Sequence, residues 1–436
     1  MGGILFILAL ILLLVGAPIV TSLGLSSTIF IYLNGISPNA VIQKMFSGVD
    51  SAPLLAVPFF VLAGDLMNRG GLARRIVNMA KSMVGNIHGG MGIVAIIACL
   101  FFAAISGSGI ATAAAIGGVM AAGLLRAGYS KGFASTIVAA AAPMGIIVPP
   151  SIAFIIYAVL AKVSVADLYK VGIPAGLIVA VSLMIPTYLI ARKRNYKERA
   201  AKIASGEIVL TDVAALHDDS GRSTVRVIVE SLWALGTPFI IVGGVFAGIF
   251  TPTESAVVAV VYSILVGIYV YKEMKWKDLP KIFLESALST AAIMVIMAAA
   301  ALFAWVMVYV RIPQTILDGV LSTTDSALLI LFAINVVVLI AGMFMEAGAI
   351  QYILVPIALP IAVAMGVDPV HFGIILVVNL AIGMMTPPFG ITLFTSARVF
   401  GASIQDITKE AMPFLIALIT ALFLITYIPE LVMWIV

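Results

Sequence analysis

Ala141-Ala142-Pro143-Met144-Gly145-Ile146-Ile147-Val148-Pro149-Pro150-Ser151 limits where this chain can be helical. It lies inside an apolar segment from about Gly132 to Ala161, which exceeds the roughly 20 residues a membrane-spanning helix requires. Three prolines and a glycine at mid-depth argue against a continuous helix. Proline removes a backbone donor and clashes with the carbonyl four residues back. In hydrocarbon the freed amides and carbonyls are tolerated only where protein or a watery cavity surrounds them. A second stretch of the same kind, Ala381-Ile382-Gly383-Met384-Met385-Thr386-Pro387-Pro388-Phe389-Gly390, interrupts the apolar run His371 to Phe400. Two broken helices at corresponding positions of two halves are a pointer to the binding site of a secondary transporter.

Composition sets the class. Of 436 residues, 63% are hydrophobic and 10% charged, with a mean hydropathy of +1.21. A soluble domain carries roughly 25% charge, so the chain reads as an all-α polytopic membrane protein whose first partner is the lipid bilayer. The net charge of +4 calls for no nucleic acid, because the basic residues cluster in short loops as membrane topology requires. The single cysteine, Cys99, excludes an internal disulfide and a cysteine-based metal site. The N-terminal run Met1-Gly2-Gly3-Ile4-Leu5 has no basic n-region and reads as a first span.

Outward from the first break, the chain falls into two halves. Residues 1–191 form the first, 192–226 a charged cytoplasmic connector, and 227–436 the second. Ile4 to Val20 and Ser26 to Leu33 are apolar, as one bent span or two short ones; Asn34 to Asp50 reads as a polar loop, and Pro53 to Met67 crosses. Asp65 is expected to pair with Arg69. Leu72, Ile76, Met79 and Met83, with Arg74, Arg75 and Lys81 between them, have the spacing of an amphipathic helix lying in the interface. The apolar run 90–125 is too long for one span. With Ser106-Gly107-Ser108-Gly109 at its middle, it predicts a re-entrant hairpin ahead of the broken helix 132–161. In the second half, 327–365 predicts another hairpin with Gly342-Met343-Phe344-Met345-Glu346-Ala347-Gly348 as its turn, ahead of the broken helix 371–400.

Setting Pro149-Pro150 against Pro387-Pro388 brings Ser106–Ser108 onto Phe344–Glu346, turn on turn. The positive-inside rule puts Arg69–Lys81, Arg126–Lys131, Arg192–Lys202, Lys272–Lys281 and Arg398–Lys409 in the cytoplasm. Lys44, Asp50, Arg311, Asp318, Asp325 and Asp368 remain outside. The two halves are then inverted repeats, with one hairpin opening from each face.

Hydroxyls beside the breaks (Ser106 and Ser108 in one half, Thr386 in the other) and unwound carbonyls suit Na⁺, a hard cation without strong geometric demands. Half-helix N-termini attract anions. The alternative is that proline and glycine only kink two helices and the hydroxyls bond back to the freed carbonyls. Glu346, an ionisable group deep in an apolar run, either serves an ion or proton or caps its hairpin helix. Glu254, after Thr251-Pro252-Thr253, reads as an N-terminal helix acid. Ser108, Pro149, Glu346 and Pro387 are the candidates for substrate contact. His88, His217 and His371 show no metal-ligand spacing, and there is no P-loop or nucleophile motif. A transporter is therefore expected rather than an enzyme, with no organic cofactor.

The run Gly248-Ile249-Phe250-Thr251-Pro252-Thr253-Glu254, the Ser-Gly-Ser-Gly tip and both Pro-Pro breaks resemble the large membrane subunit of tripartite ATP-independent periplasmic (TRAP) transporters, over essentially the whole chain. The resemblance implies an elevator-type secondary transporter of the bacterial inner membrane, with a scaffold and a moving transport domain. It implies a small four-helix membrane subunit and a periplasmic substrate-binding protein as partners. Its substrate would be a small organic acid such as a C4-dicarboxylate or sialic acid, imported with Na⁺. It also implies that Ser106, Ser108, Gly145, Val148 and Pro150 line one Na⁺ site. Gly342, Glu346, Gly383, Thr386 and Pro388 would line the second. The competing class is a stand-alone Na⁺/carboxylate symporter or ion antiporter of related architecture, which would need no binding protein.

Overall fold

The computed structural model describes residues 2–84, 87–207, 224–324 and 326–436. His217, Asp218 and Asp219 of the connector, and Asp325, lie outside them. Among the described residues there are helices and turns and no strand. The first half runs α1 (Gly2–Leu14), α2 (Ile19–Leu33), α3 (Asn39–Ser47), α4 (Ala56–Arg69), α5 (Leu72–Val84), α6 (Gly90–Ser106), α7 (Gly109–Arg126), α8 (Lys131–Ala141), α9 (Ile152–Ala161), α10 (Val165–Lys193) and α11 (Tyr196–Ala204). The second runs α12 (Thr224–Pro238), α13 (Gly244–Phe246), α14 (Pro252–Leu265), α15 (Leu279–Tyr309), α16 (Ile312–Thr323), α17 (Ala327–Phe344), α18 (Ala347–Ala364), α19 (Pro369–Met385), α20 (Ile391–Phe400), α21 (Ile404–Tyr427) and α22 (Glu430–Met433).

Seven of the described helices are long and apolar enough to cross a bilayer: α7, α10, α14 with the turn that extends it to Val270, α15 with the turn before it, α17, α18 and α21. By contrast α8, α9 and α20 have 11, 10 and 10 residues. At 1.5 Å per residue each reaches about 15 Å, half of a hydrocarbon core of about 30 Å. The unwound ends of such half-helices need protein around them. Between α8 and α9 they have it: every residue from Ala141 to Ser151 is buried.

Helix α15 is the column that shows the two ends of the molecule. Near its start Glu285 pairs with Arg69 of α4. Near its end Lys44 of α3 lies over the Trp305 ring, 5.3 Å from its centroid. Twenty residues of helix separate those partners, about 30 Å, so the turns after α3 and α4 lie at opposite ends. Helices α2, α3, α4 and α18 pack along it. The basic end is tied to the second half by Arg74 and Arg75 on Glu273, at 3.0 and 2.7 Å. The Arg75 guanidinium also sits 3.6 Å from the Tyr271 ring centroid. Pairs in contact with solvent contribute only about 0–1 kcal/mol each.

Three local readings of the sequence change, and one left open is resolved. Residues 34–50 are not a loop, because α3 forms there, bent by 68° from the segment Ala52–Arg69 and packed on α15. The first two apolar runs are two helices packed on each other, parted by the turn at Gly16. The apolar face of α5 (Leu72, Ile76, Val77, Met79, Ala80) is buried against α6 and α12 and not laid into lipid, because those helices offer apolar surface to it. Asp65 does not pair with Arg69: the Ser286 hydroxyl donates to its carboxylate at 2.5 Å, and Arg69, at the exposed end of α4, reaches Glu285 instead.

Candidate transport site

The first tip is built by glycine and hydroxyls. Gly107 ends α6 at φ +60, a left-handed conformation that an L side chain adopts only at a cost. Ser108 then caps α7, its hydroxyl accepting from the Ala111 amide at 3.4 Å. Thr112, one turn on, donates to the Ser108 carbonyl at 2.8 Å and shares a 2.8 Å hydroxyl contact with Ser106. Three hydroxyls thus sit within one turn of the α7 N-terminus.

The first break lies against this tip. Residues Ala142–Ile146 tighten into a 3₁₀ turn, and the peptide Pro149–Pro150 is cis. Ser151 caps α9 by accepting from the Phe154 amide at 3.2 Å and returns its own hydroxyl to the Ile146 carbonyl at 2.5 Å. A methyl group on Gly145 would stand 2.5 Å from the Ser108 carbonyl oxygen, and one on Gly107 2.9 Å from that of Pro150. Tip and break therefore meet backbone to backbone.

The second pair has the same order. Helix α17 ends at Phe344 and α18 starts at Ala347, with Glu346 between. Helix α19 ends at Met385, the peptide Pro387–Pro388 is cis, and α20 starts at Ile391. A methyl on Gly383 would stand 2.6 Å from the Gly342 carbonyl carbon. The Thr386 hydroxyl donates to the Ile382 carbonyl of its own helix at 2.7 Å. Glu346 occupies the position before α18 without a side-chain cap bond.

Between the two pairs lies a cavity of about 390 Å³. Its walls include Ser106, Ser108 and Ile110 of the first tip, Glu346 and Gly348 of the second, and Ile152 and Ile156 of α9. Asp65 and Asn68 of α4 and Ser289 and Ile293 of α15 close the other side. Of the residues singled out in the sequence, the structure thus brings Ser106, Ser108 and Glu346 to one cavity. Gly145 and Pro150 stand behind the first tip. Val148 and Pro149 line a separate apolar cavity of about 490 Å³, where Val148 packs on Gly176. Gly342 and Gly383 form the contact behind the second tip; Thr386, buried, donates both its amide and its hydroxyl to its own helix, and Pro387 and Pro388 lie further out, half-buried and exposed. The run 248–254 is a capping box: the Glu254 carboxylate accepts from the Thr251 amide at 2.8 Å, and the Thr251 hydroxyl accepts from the Glu254 amide at 3.3 Å.

Sequence reading missed three polar groups. Thr392 donates to the Met384 carbonyl at 2.9 Å and to Ala139 of the other broken helix at 3.0 Å, joining the two. Asn379 donates to the Asn335 side-chain and backbone oxygens, both at 2.8 Å, which fastens α19 to α17. Thr112 completes the first tip. All are fully or almost fully buried. Their signal was a lone polar residue in an apolar helix, which in membranes usually faces a partner.

The sequence matches, over residues 6–431, the family described as tripartite ATP-independent periplasmic transporter, DctM component. The chain belongs to that family. It is 41% identical over 411 residues to the C4-dicarboxylate TRAP transporter large permease protein DctM of Pseudomonas aeruginosa, covering 94% of this chain and 92% of that one. It is 36% identical over 420 residues to the sialic acid TRAP transporter large permease protein SiaM of Vibrio cholerae, covering 96% and 94%. It is 40% identical to the isethionate TRAP transporter permease protein DctMQ of Oleidesulfovibrio alaskensis, where 97% of this chain spans 64% of the relative. Among solved structures it is similar to the Alcanivorax borkumensis YdaH transporter, with TM-score 0.61, 15% identity and 88% and 87% of the two chains covered. That likeness supports the fold alone. This DctM-family chain is thus a multi-pass TRAP large permease of the bacterial inner membrane.

Proposed function

We propose that this permease imports a small organic acid with Na⁺. A periplasmic binding protein would deliver the acid, and a small four-helix subunit would complete the membrane part. The observation that carries the reading is the shared cavity, where two hairpin tips, each seated on a helix break, meet helices α4 and α15. Tips, breaks and their helices would form the transport domain of an elevator, and α4 and α15 would belong to the scaffold. The halves 1–191 and 227–436 would be inverted repeats, so that either tip opens the cavity to its own face.

One Na⁺ would lie at the first tip and break, among Ser106, Ser108, Gly145, Val148 and Pro150. The other would lie among Gly342, Glu346, Gly383, Thr386 and Pro388. Backbone carbonyls freed by the prolines supply oxygen ligands at no cost in helix hydrogen bonds. Ser108, Glu346, Pro149 and Pro387 remain the candidates for substrate contact, the prolines through backbone carbonyls. Among the described residues no lysine or arginine lines the cavity. An anion would therefore depend on bound Na⁺ and on half-helix N-termini, worth about 0.3–2 kcal/mol each. A delivering protein offsets that weak affinity by raising local concentration. At a potential near 100 mV each Na⁺ entering contributes about 2.3 kcal/mol, enough for two ions to concentrate a monoanion.

The test is uptake of labelled succinate and sialic acid into proteoliposomes holding both membrane subunits. Uptake is expected with Na⁺ and the binding protein, and background with choline. Uptake in choline without a proton gradient contradicts the coupling. Saturable uptake without the binding protein favours the stand-alone symporter.

A further inference from the structure

Helices α10 and α21 pack together, yet they leave between them an open apolar groove of about 750 Å³. On α10 its wall is the stripe Leu177, Val181, Ile185 and Leu189, each at least half exposed and each one turn from the next. The stripe runs about 18 Å, the reach of a long acyl chain. On α21 the facing wall includes Pro413, Ile416 and Leu424. The hydroxyls in the groove are spent on their own helices: Ser182 donates to the Val179 carbonyl at 2.7 Å and Thr420 to Ile416 at 2.8 Å. Nothing polar is left on the walls.

One end of the groove is charged. The next position of the α10 stripe is Lys193, and the turn before Pro413 on α21 is Lys409. Both are exposed, and neither makes an ion pair among the described residues. Their sequence neighbours Arg194 and Glu410 clamp the helices across this end with two bonds of 2.7 and 2.8 Å. The clamp holds the two lysines on either side of one rim. It also uses up Glu410, while Asp406 takes the Ser403 hydroxyl at 2.7 Å. Arg192, Lys193, Arg194 and Lys409 against Asp406 and Glu410 leave the rim with a surplus of two positive charges.

From this juxtaposition we infer that the α10/α21 groove is a binding site for one anionic phospholipid. One of its two acyl chains lies along Leu177–Leu189, and the phosphate is held between Lys193 and Lys409. Basic pockets between membrane helices at the cytoplasmic face select anionic headgroups over zwitterionic ones. The lysine stems cover the upper groove while their ammonium groups stay at the headgroup level. Bulk lipid around any membrane protein needs neither the clamp nor the two free lysines.

The experiment is native mass spectrometry of the large subunit purified with its small subunit, titrated with phosphatidylglycerol, phosphatidylcholine or water-soluble glycerol phosphate. The wild-type complex is expected to retain one phosphatidylglycerol in preference to phosphatidylcholine, with glycerol phosphate failing to displace it. The double variant Lys193→Gln/Lys409→Gln is expected to retain it roughly tenfold more weakly, and Lys277→Gln, an exposed lysine elsewhere, as well as wild type. Val181→Trp, which narrows the groove at an exposed position, loses retention with both lysines in place. Equal retention of phosphatidylcholine overturns the inference, as does an unchanged double variant or an equal loss in Lys277→Gln. Failure of the complex to retain phosphatidylglycerol, as when the small subunit covers the groove, also overturns it.

Discussion

At the first break every residue from Ala141 to Ser151 is buried; at the second, Pro388 and Phe389 are exposed, and the rings of Phe344 and Phe389 stand 5.1 Å apart at the surface. The closing bonds differ too. Ser151 closes the first break locally, onto Ile146. The helix after the second break has no side-chain cap, and closure falls to Thr392, which also binds the other broken helix. One break is closed by its own neighbours, and the other by a bond to its counterpart. The second break therefore depends on the other half of the chain for its closure, and the first does not.

The largest expected effect comes from the contacts the two pairs share. Gly145→Ala and Gly383→Ala each place a methyl at 2.5–2.6 Å from backbone of the facing tip. Separating tip from break is expected to lower stability by about 1–3 kcal/mol and to bring uptake to background in both. A variant with wild-type uptake would show that its pair does not act as a unit. Next comes the tip chemistry. Glu346→Gln keeps the shape and removes a carboxylate that accepts no hydrogen bond among the described residues. Uptake is expected to fall by roughly ten- to hundredfold, the scale of one charge-assisted contact, with thermal stability unchanged. A fall in stability without a change in Na⁺ dependence would make Glu346 structural. The smallest effect separates the closing bonds. Thr392→Val is expected to cost about 1–3 kcal/mol, because the Met384 and Ala139 carbonyls lose their shared donor. Ser151→Ala is expected to cost about 1 kcal/mol, as a local cap. Equal melting temperatures would remove the distinction drawn here.

Much of this was legible because proline and glycine act locally. The isolated Pro174, Pro186, Pro356, Pro360 and Pro413 lie inside continuous helices, whereas a Pro-Pro pair with a nearby glycine interrupts both α8/α9 and α19/α20, so the pair and not proline alone marks the breaks in the sequence. What could not be read depends on partners far along the chain. Asn39–Ser47 is polar enough for a loop, and only packing on α15 decides for a helix. Asp65 has Arg69 one turn away, yet its partner Ser286 is more than two hundred residues distant. Thr392 and Asn379 look like isolated polar residues until the fold brings Ala139 and Asn335 to them. The capping box at 248–254 marks the family, yet its bonds are structural and lie outside the cavity lining.

The central claim is that each tip and break together hold one Na⁺. It is tested most directly by the Na⁺ titration of uptake in proteoliposomes, with the binding protein saturating, for wild type, Ser108→Ala and Thr386→Ala. A sigmoidal wild-type curve is expected. In each variant half-saturation moves to at least roughly tenfold higher Na⁺, as follows from deleting one oxygen ligand of a buried cation. Three superimposable curves would contradict it and leave the prolines as kinks only.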